Sequence, residues 1–412
     1  MQVVYECCCG LDVHAKTVVA CLLKPGRKEI RTFSTMTEDL LQLLDWLTRE
    51  GCTHVAMEST GVYWKPVFNI LEGVLSVILV NARHIKAVPG RKTDVRDCEW
   101  LADLLRHGLV KASFIPPREI REVRELTRYR QTLVKEHTAV ANRIQKLLES
   151  ANLKLGQVAS DVLGVSGRLM LRALAEGEQD AEKLAELAQG RLKSKKGALR
   201  QALAGRLTVA QRWVLRELLA RWEELEGALT RVETRIREEV QAGANPFVPE
   251  AVELLDSIPG VGEHVAHIIV AEIGVEMDRF PSDGHLASWA GMCPGNNESG
   301  GKRKRGPTTK GSPYLRTALI EAAWAASHGK GTYWAAKYKR LAKRLGKKRA
   351  LVALGHNLLR IAYHLLKRRV RYTDLGSDYF DRQQVQRQRR RLVQRLEALG
   401  VKVTIEEVAE AA

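Results

Sequence analysis

The chain has 412 residues, more than one hydrophobic core normally holds, and its 45% hydrophobic content is ample for two or three packed domains. Lys and Arg number 66 against 48 Asp and Glu, a net charge of +18, the electrostatic footprint of a protein that meets a polyanion, so nucleic acid is the leading partner. No run of about 18 apolar residues occurs, which excludes a membrane-spanning helix, and Glu6 stands where a signal peptide carries cations, so export is not expected.

Residues 2 to 34 predict three short strands, Val3 to Leu11, Lys16 to Leu23 and Glu29 to Phe33, with a Pro25-Gly26 turn between the last two. A helix with leucines at 40, 41, 43, 44 and 47 follows, then a strand ending at Glu58, a helix from Val62 to Leu71, and a strand from Val74 to Val80. A meander of strands that gives way to alternating strands and helices predicts a mixed α/β sheet of ribonuclease-H type. The cysteines, at 7, 8, 9, 21, 52, 98 and 293, form no CxxC pair and no zinc spacing, which predicts a reduced, cytoplasmic protein without structural zinc. Cys7, Cys8 and Cys9 read as small buried hydrophobes on a strand.

Carboxylates punctuate this region. Asp12 ends the first strand, Glu58 ends the strand from His54, and Asp94 and Asp97 lie three apart, hence on one face of a helix that continues to Arg106. Hard Mg²⁺ or Mn²⁺ prefers oxygen ligands, and a pair of such ions can position both the attacking and the leaving oxygen of a phosphodiester. Singly, each acid also fits a plainer role: Asp94 as an N-cap, Asp97 and Glu99 as first-turn acids, Asp12 as a turn residue.

Pro116-Pro117 marks a boundary, beyond which the sequence turns long, charged and helical. Val123, Leu126, Leu133, His137, Val140, Ile144, Leu147 and Ala151 follow the spacing of a coiled-coil seam, with His137 read as a register or surface residue. A second seam, Leu215, Leu218, Trp222, Leu225, Leu229, Val232 and Ile236, can pair with the first as an antiparallel hairpin or join another subunit. Leu153 to Leu207, between them, reads as short helices and loops.

Beyond Pro246 the pattern changes to Leu254 through Gly262, followed by an apolar helix, the signature of a helix-hairpin-helix. There Gly260 and Gly262 would let the backbone bend and offer N–H groups to a phosphate, a grip on nucleic acid without base reading. Next comes Asn297-Glu298-Ser299-Gly300-Gly301-Lys302-Arg303-Lys304-Arg305-Gly306, a serine on a flexible turn feeding a run of four cations. A hydroxyl beside such a cluster can attack a phosphodiester while the cations hold its charge, although the segment alone also reads as a solvated basic loop. Lys310 and Arg316 extend the candidate nucleic-acid contacts, and no side chain in the stretch is an evident general base for Ser299. The division expected is 1–115 α/β, 116–245 coiled-coil and helical dimerisation region, 246–372 mainly α with the serine, and 373–412 a charged tail.

Taken together, Gly10-Leu11-Asp12-Val13-His14, Met57 to Tyr63, Asn81-Ala82-Arg83 and Lys92 to Asp97 resemble the N-terminal RuvC-like DEDD domain of the insertion-sequence 110 and 1111 transposases. Leu255 to Gly262, Glu298-Ser299-Gly300 and Lys310 to Leu319 resemble that family's C-terminal domain. The resemblance implies a site-specific DNA recombinase in which Asp12, Glu58, Asp94 and Asp97 are metal ligands for Mg²⁺ or Mn²⁺ and Ser299 forms a transient phosphoserine link to DNA. It further implies guidance by an element-encoded non-coding bridge RNA that pairs with donor and target DNA. Dimers that meet in a tetramer, in the nucleoid of a bacterium or archaeon, complete the implied assembly. The chain departs from some relatives in the length of Leu153 to Leu207. A RuvC-like hydrolytic nuclease of the junction-resolvase type needs only the acids, and a non-catalytic nucleic-acid scaffold needs neither acids nor serine.

Overall fold

In the computed structural model the described residues are 2–59, 61–80, 97–295, 298–303, 306–400 and 402–404. They form two compact units, Met1–Ile115 and Pro116–Ala412.

The first unit is built on a mixed sheet. Strands β1 (Cys8–Val13), β2 (Thr17–Lys24) and β3 (Arg27–Ser34) make an antiparallel meander, and β4 (His54–Glu58) and β5 (Ser76–Val80) add in parallel on the other side of β1, giving the order β3-β2-β1-β4-β5. This is consistent with the ribonuclease-H-type sheet expected. Helices α1 (Thr37–Arg49) and α2 (Trp64–Leu71) follow β3 and β4, and α3 (Asp97–Arg106) closes the unit. Alternation along the strands sorts their side chains: Cys9, Leu11, Val18, Ala20, Val55 and Met57 join the core that α1 and α2 cover. Cys8, Cys21 and Ala56 face the core built with α3. At Gly10 a Cβ would stand 2.2 Å from the Cys98 carbonyl oxygen and 2.5 Å from the Ala102 nitrogen, so α3 lies directly on the β1 backbone.

Two boundaries differ from expectation. Val3 to Tyr5 is not strand: Val4 and Tyr5 donate their N–H groups to the Arg106 carbonyl at the end of α3, at 2.8 and 3.2 Å. Tied there, they cannot extend β1, which instead runs past Asp12 to Val13. Cys8 and Cys9 are the small buried strand residues expected, whereas Cys7 precedes β1 and is half-buried. Cys8, Cys9, Cys21, Cys52 and Cys98 are buried, and burial pushes the Cys21 and Cys52 thiols up to about 12.

The second unit is helical. Helix α4 (Arg118–Ser150) and a later helix, α6 (Val209–Ala242), pack as an antiparallel hairpin, as the ion pairs Arg130–Glu233 and Arg221–Glu136 and the stacking of His137 on Trp222 at 4.7 Å show. Short helical turns and α5 (Val165–Glu176) lie between them in sequence, with α5 packed on α6. The buried positions are Val123, Thr127, Leu133, Val140, Ile144 and Leu148 on α4 and Leu215, Leu219, Trp222, Leu225, Val232 and Ile236 on α6. Thr127, Leu148 and Leu219 thus replace the expected Leu126, Leu147 and Leu218, because a straight helix of 3.6 residues per turn drifts out of a strict heptad. At the Thr127 end α4 also turns its face to α8 (Glu263–Ile273). There Arg128 makes a two-point ion pair at 2.8 and 3.0 Å with Glu272, only 1% exposed. Arg124 donates to the Ala271 and Glu272 carbonyls at the end of α8, both at 2.8 Å. Such a pair is a strong constraint on how the helices meet, since removing Arg128 leaves the buried Glu272 charge with Arg124 alone at 4.0 Å.

Helix α7 (Phe247–Asp256), a tight turn and α8 follow one another over the stretch read as a helix-hairpin-helix. They are followed by α9 (Asp283–Trp289), α10 (Pro313–Ser327), α11 (Tyr333–Leu345), α12 (Lys347–Arg368) and α13 (Tyr379–Ala398). No described helix is long and apolar enough to cross a membrane.

Candidate active site

The carboxylates of the first unit gather at one end of its sheet. Leu11 pairs with Met57 in the parallel β1–β4 ladder, so Asp12 and Glu58 come next on adjacent strands. Register partners on neighbouring strands point to the same face, and here that face is the one shared by Cys8, Gly10 and Ala56, against α3. Asp97 opens α3, one residue before the Cys98 carbonyl that touches Gly10, and its Oδ1 is buried. Asp12 and Glu58 thus share a face on adjacent strands, and Asp97 begins the helix that lies against that face. Proximity also registers at Cys98, whose thiol is raised by burial and further by the Asp12 charge. Asp94, the fourth expected ligand, lies outside the described residues, as do Asn81-Ala82-Arg83 and Lys92 to Arg96.

Two neighbours of these acids stand in the strings around Asp12 and Asp97 but are not among the expected site residues. His14 Nε2 lies 3.1 Å from Asp12 Oδ2, with the Asp12 side chain 22% exposed. Glu99, two residues on from Asp97, is engaged by Lys28 of β3 at 3.2 Å and braces α3 against the sheet. Among the described residues no group of three His, Cys, Asp or Glu side chains is close enough to hold a metal ion. Asp12, Glu58 and Asp97 all offer carboxylate oxygens, donors suited to a hard divalent cation and not to zinc or copper.

In the second unit Ser299 occupies a β-ribbon. Strands β6 (Glu298–Ser299) and β7 (Lys302–Arg303) pair antiparallel with Ser299 opposite Lys302, joined by Gly300 and Gly301 at φ of 57° and 71°. Two consecutive left-handed residues make the type I′ turn whose twist matches a hairpin, which is why glycine fills both places. Neither glycine has a neighbour within 4 Å of a would-be Cβ, so the turn projects into open space. The base is pinned: Pro294 bridges Thr308, Gly295 donates to the Pro307 carbonyl at 2.9 Å and Thr309 to that of Cys293 at 3.2 Å. Below it Gly291 and Gly311 touch backbone to backbone, where a Cβ on Gly311 would meet the Ala290 carbonyl carbon and oxygen at 2.2 Å.

The expected nucleic-acid residues divide. Arg316, in the first turn of α10, donates to Thr308 Oγ1 at 2.8 Å and so braces the ribbon base. Lys310 is exposed beside it. Lys302 and Arg303 lie in β7, while Lys304 and Arg305 lie outside the described residues. Gly260 has φ +89°, and its would-be Cβ falls 2.5 Å from the Ala322 carbonyl oxygen, so its bend serves the packing of the turn on α10. Gly262 is exposed with open space around it at the start of α8. Next to it, Glu263 is held by Arg237 through two bonds of 2.8 and 3.0 Å.

Comparison with known proteins places both units. Residues 9–153 match a family described as "Transposase" under a DEDD heading, and residues 252–340 match the "Transposase IS116/IS110/IS902 family". The chain is 26% identical to a "Probable family 20 transposase" of Pseudomonas aeruginosa, over 88% of this chain and 94% of that protein. It is 27% identical to the "Transposase for insertion sequence element IS1111A" of Coxiella burnetii, over 88% and 90% of the two chains. It is also 23% identical, over 87% and 95%, to a "Pilin gene-inverting protein" of Moraxella bovis. With two family matches in the expected order and relatives aligned along nearly their whole length, the chain belongs to the insertion-sequence 110/1111 family of transposases and is a DNA transposase or recombinase.

Proposed function

We propose that the chain moves an insertion sequence by site-specific strand exchange through a serine–DNA ester, with Asp12, Glu58, Asp94 and Asp97 as the metal-binding carboxylates and Ser299 as nucleophile. The observation that supports this reading is that Asp12 and Glu58 share one sheet face on adjacent strands while Asp97 begins the helix packed on that face, in a family whose name records a DEDD set. In the covalent step the Ser299 oxygen forms a bond to phosphorus, the bond from phosphorus to the DNA 3′-oxygen breaks, and the serine proton is lost as the 3′-oxygen gains one. A second DNA 3′-hydroxyl reverses the ester, so no energy-rich cofactor is consumed. Asp12, Glu58, Asp94 and Asp97 would hold Mg²⁺ or Mn²⁺, which when bound would supply neutralisation of phosphate charge. Cations from Lys302 to Arg305 hold the backbone in register, and His14 orients the Asp12 carboxylate.

An element-encoded bridge RNA pairs with donor and target DNA and sets the site, and dimers joined in a tetramer carry out exchange. The net charge of +18 supports two nucleic-acid partners, and the family resemblance supports the rest. In a plasmid recombination assay Ser299→Ala abolishes exchange while DNA binding persists, and denaturing gels of the native protein on suicide DNA substrates retain a protein–DNA adduct that the variant lacks. Full recombination by Ser299→Ala sinks the covalent mechanism and leaves the hydrolytic, resolvase-type reading. Sequencing RNA that copurifies from cells carrying the element tests guidance, and recovery of no discrete element-derived species overturns it.

A further inference from the structure

The second unit carries a basic surface that the serine chemistry leaves unused. Seven of the eleven residues from Lys339 to Arg349 are Lys or Arg, all seven exposed, running off the end of α11 and across Gly346 into α12. Helix α13 adds a second basic element, and none of its residues is buried. Arg387, Arg391 and Arg395 recur every fourth residue and form one row, with Arg390 beside it, while Val385 and Leu396 share the far face with Arg389 and Leu392 flanks that face. Among the described residues no acid pairs with these four arginines.

A 20-residue helix without burial is marginal in water, but the start of α13 is clamped to α11. Phe380 stacks on Tyr333 at 5.2 Å and 19°, and Tyr379 meets the same ring edge-on at 5.3 Å. Arg340 lies 5.0 Å over the Phe380 ring and pairs with Asp381 at 3.4 Å. Tyr333 is fixed in turn by a 3.0 Å bond from its N–H to Asp374. Aromatic contacts thus hold two cationic helices together against their mutual repulsion, an arrangement that stability alone does not favour.

We propose that α11, the head of α12 and α13 form a sequence-independent surface for the phosphodiester backbone of a nucleic acid, separate from the serine ribbon. The proposal rests on the chain acting on nucleic acid but not on the phosphoserine mechanism. Arginines in a row on one helix face suit a regular line of phosphates, and each phosphate they neutralise adds counterion release.

The test uses the full chain with Arg387, Arg390, Arg391 and Arg395 all changed to Gln, substitutions outside any buried position. Binding to an arbitrary duplex DNA and to an RNA duplex of equal length is followed by fluorescence anisotropy across a salt series. Affinity for one or both falls about ten- to a hundred-fold near 0.1 M salt, and the log–log salt slope flattens by roughly 0.9 for each phosphate that the variant leaves un-neutralised. The probe that responds identifies DNA or RNA as the source of the phosphates. Phe380→Ala, which keeps every arginine but releases the clamp, gives a smaller loss in the same direction. Unchanged affinity and slope on both probes overturn the proposal. A change confined to binding of phosphatidylserine vesicles, or to the sedimentation mass, overturns it in favour of a membrane or self-association role for the face with Val385 and Leu392. Ser299→Ala leaves these binding curves unchanged, so failure here and failure of the serine mechanism are read separately.

Discussion

In the sheet unit Asp12 and Glu58 owe their positions to hydrogen-bond register and Asp97 to a helix pressed onto Gly10, whereas Ser299 stands on a ribbon of two residue pairs whose turn glycines leave open space where a Cβ would stand. The carboxylates are fixed by packing, and the serine by backbone conformation above a pinned base. Packed positions can be lost only by disturbing a core, while a ribbon can be altered without the rest of the unit responding. The contrast suits a chemistry in which a nucleophile must enter and leave a bond while the groups holding the phosphate stay still.

Ser299→Ala and Asp12→Asn put the largest demand on the contrast. Both abolish strand exchange, yet neither lowers the thermal midpoint by more than about a degree or two, because neither residue belongs to a hydrophobic core. Loss of folding in either variant would show that the site and scaffold are not separable. Gly10→Ala comes next. A Cβ there meets Cys98 and Ala102 backbone at 2.2 and 2.5 Å, and backbone cannot swing aside as a side-chain end can. We expect destabilisation of the first unit by about 3 kcal/mol, read by denaturant unfolding.

Gly300→Ala and Gly301→Ala test the other side. With φ of 57° and 71° and open space around them, each costs about 1–2 kcal/mol locally from the left-handed backbone alone. Strand exchange falls while global unfolding stays in place; an unfolding shift as large as that of Gly10→Ala would show that the ribbon is part of the core. Acid probes a third place, the joint between the helical hairpin and α8. Burial, and then the Arg130 guanidinium donating to its Nε2 at 2.6 Å, pushes His264 down from 6.5 to about 4. The unfolded chain therefore binds the proton first, so stability is full above pH 6.5 and declines as pH falls toward 4. His264→Gln should flatten the thermal midpoint across that window, and an unchanged profile would remove this joint from the account.

Much of the scaffold could be read from residue spacing. The leucines of α1, the Pro25-Gly26 turn and the two seams that became α4 and α6 each carry their structure in local periodicity. Where local pattern and tertiary packing compete, packing wins: Leu126 gives way to Thr127 because α8 meets α4 on that side, and Val3 to Tyr5 leave the sheet to bond Arg106. The acids at strand ends were legible as a set, because strand ends and helix starts are marked in sequence. That Asp12 and Glu58 share the face of α3 was not, since it depends on the register of strands more than forty residues apart. Gly260 was legible as a bend but not as a close approach to α10, and the pairing of Arg128 with Glu272 spans 144 positions that no spacing rule connects.

The distribution of thiols has a practical consequence. Five buried cysteines lie in the first unit, and Cys293, half-buried, sits at the base of the serine ribbon as the second unit's one thiol. A slow alkylating reagent applied under graded denaturant would therefore read two clocks in one chain: mass tags on the first unit's peptides time the opening of the sheet, and the tag on the Cys293 peptide times the release of the ribbon from its footing.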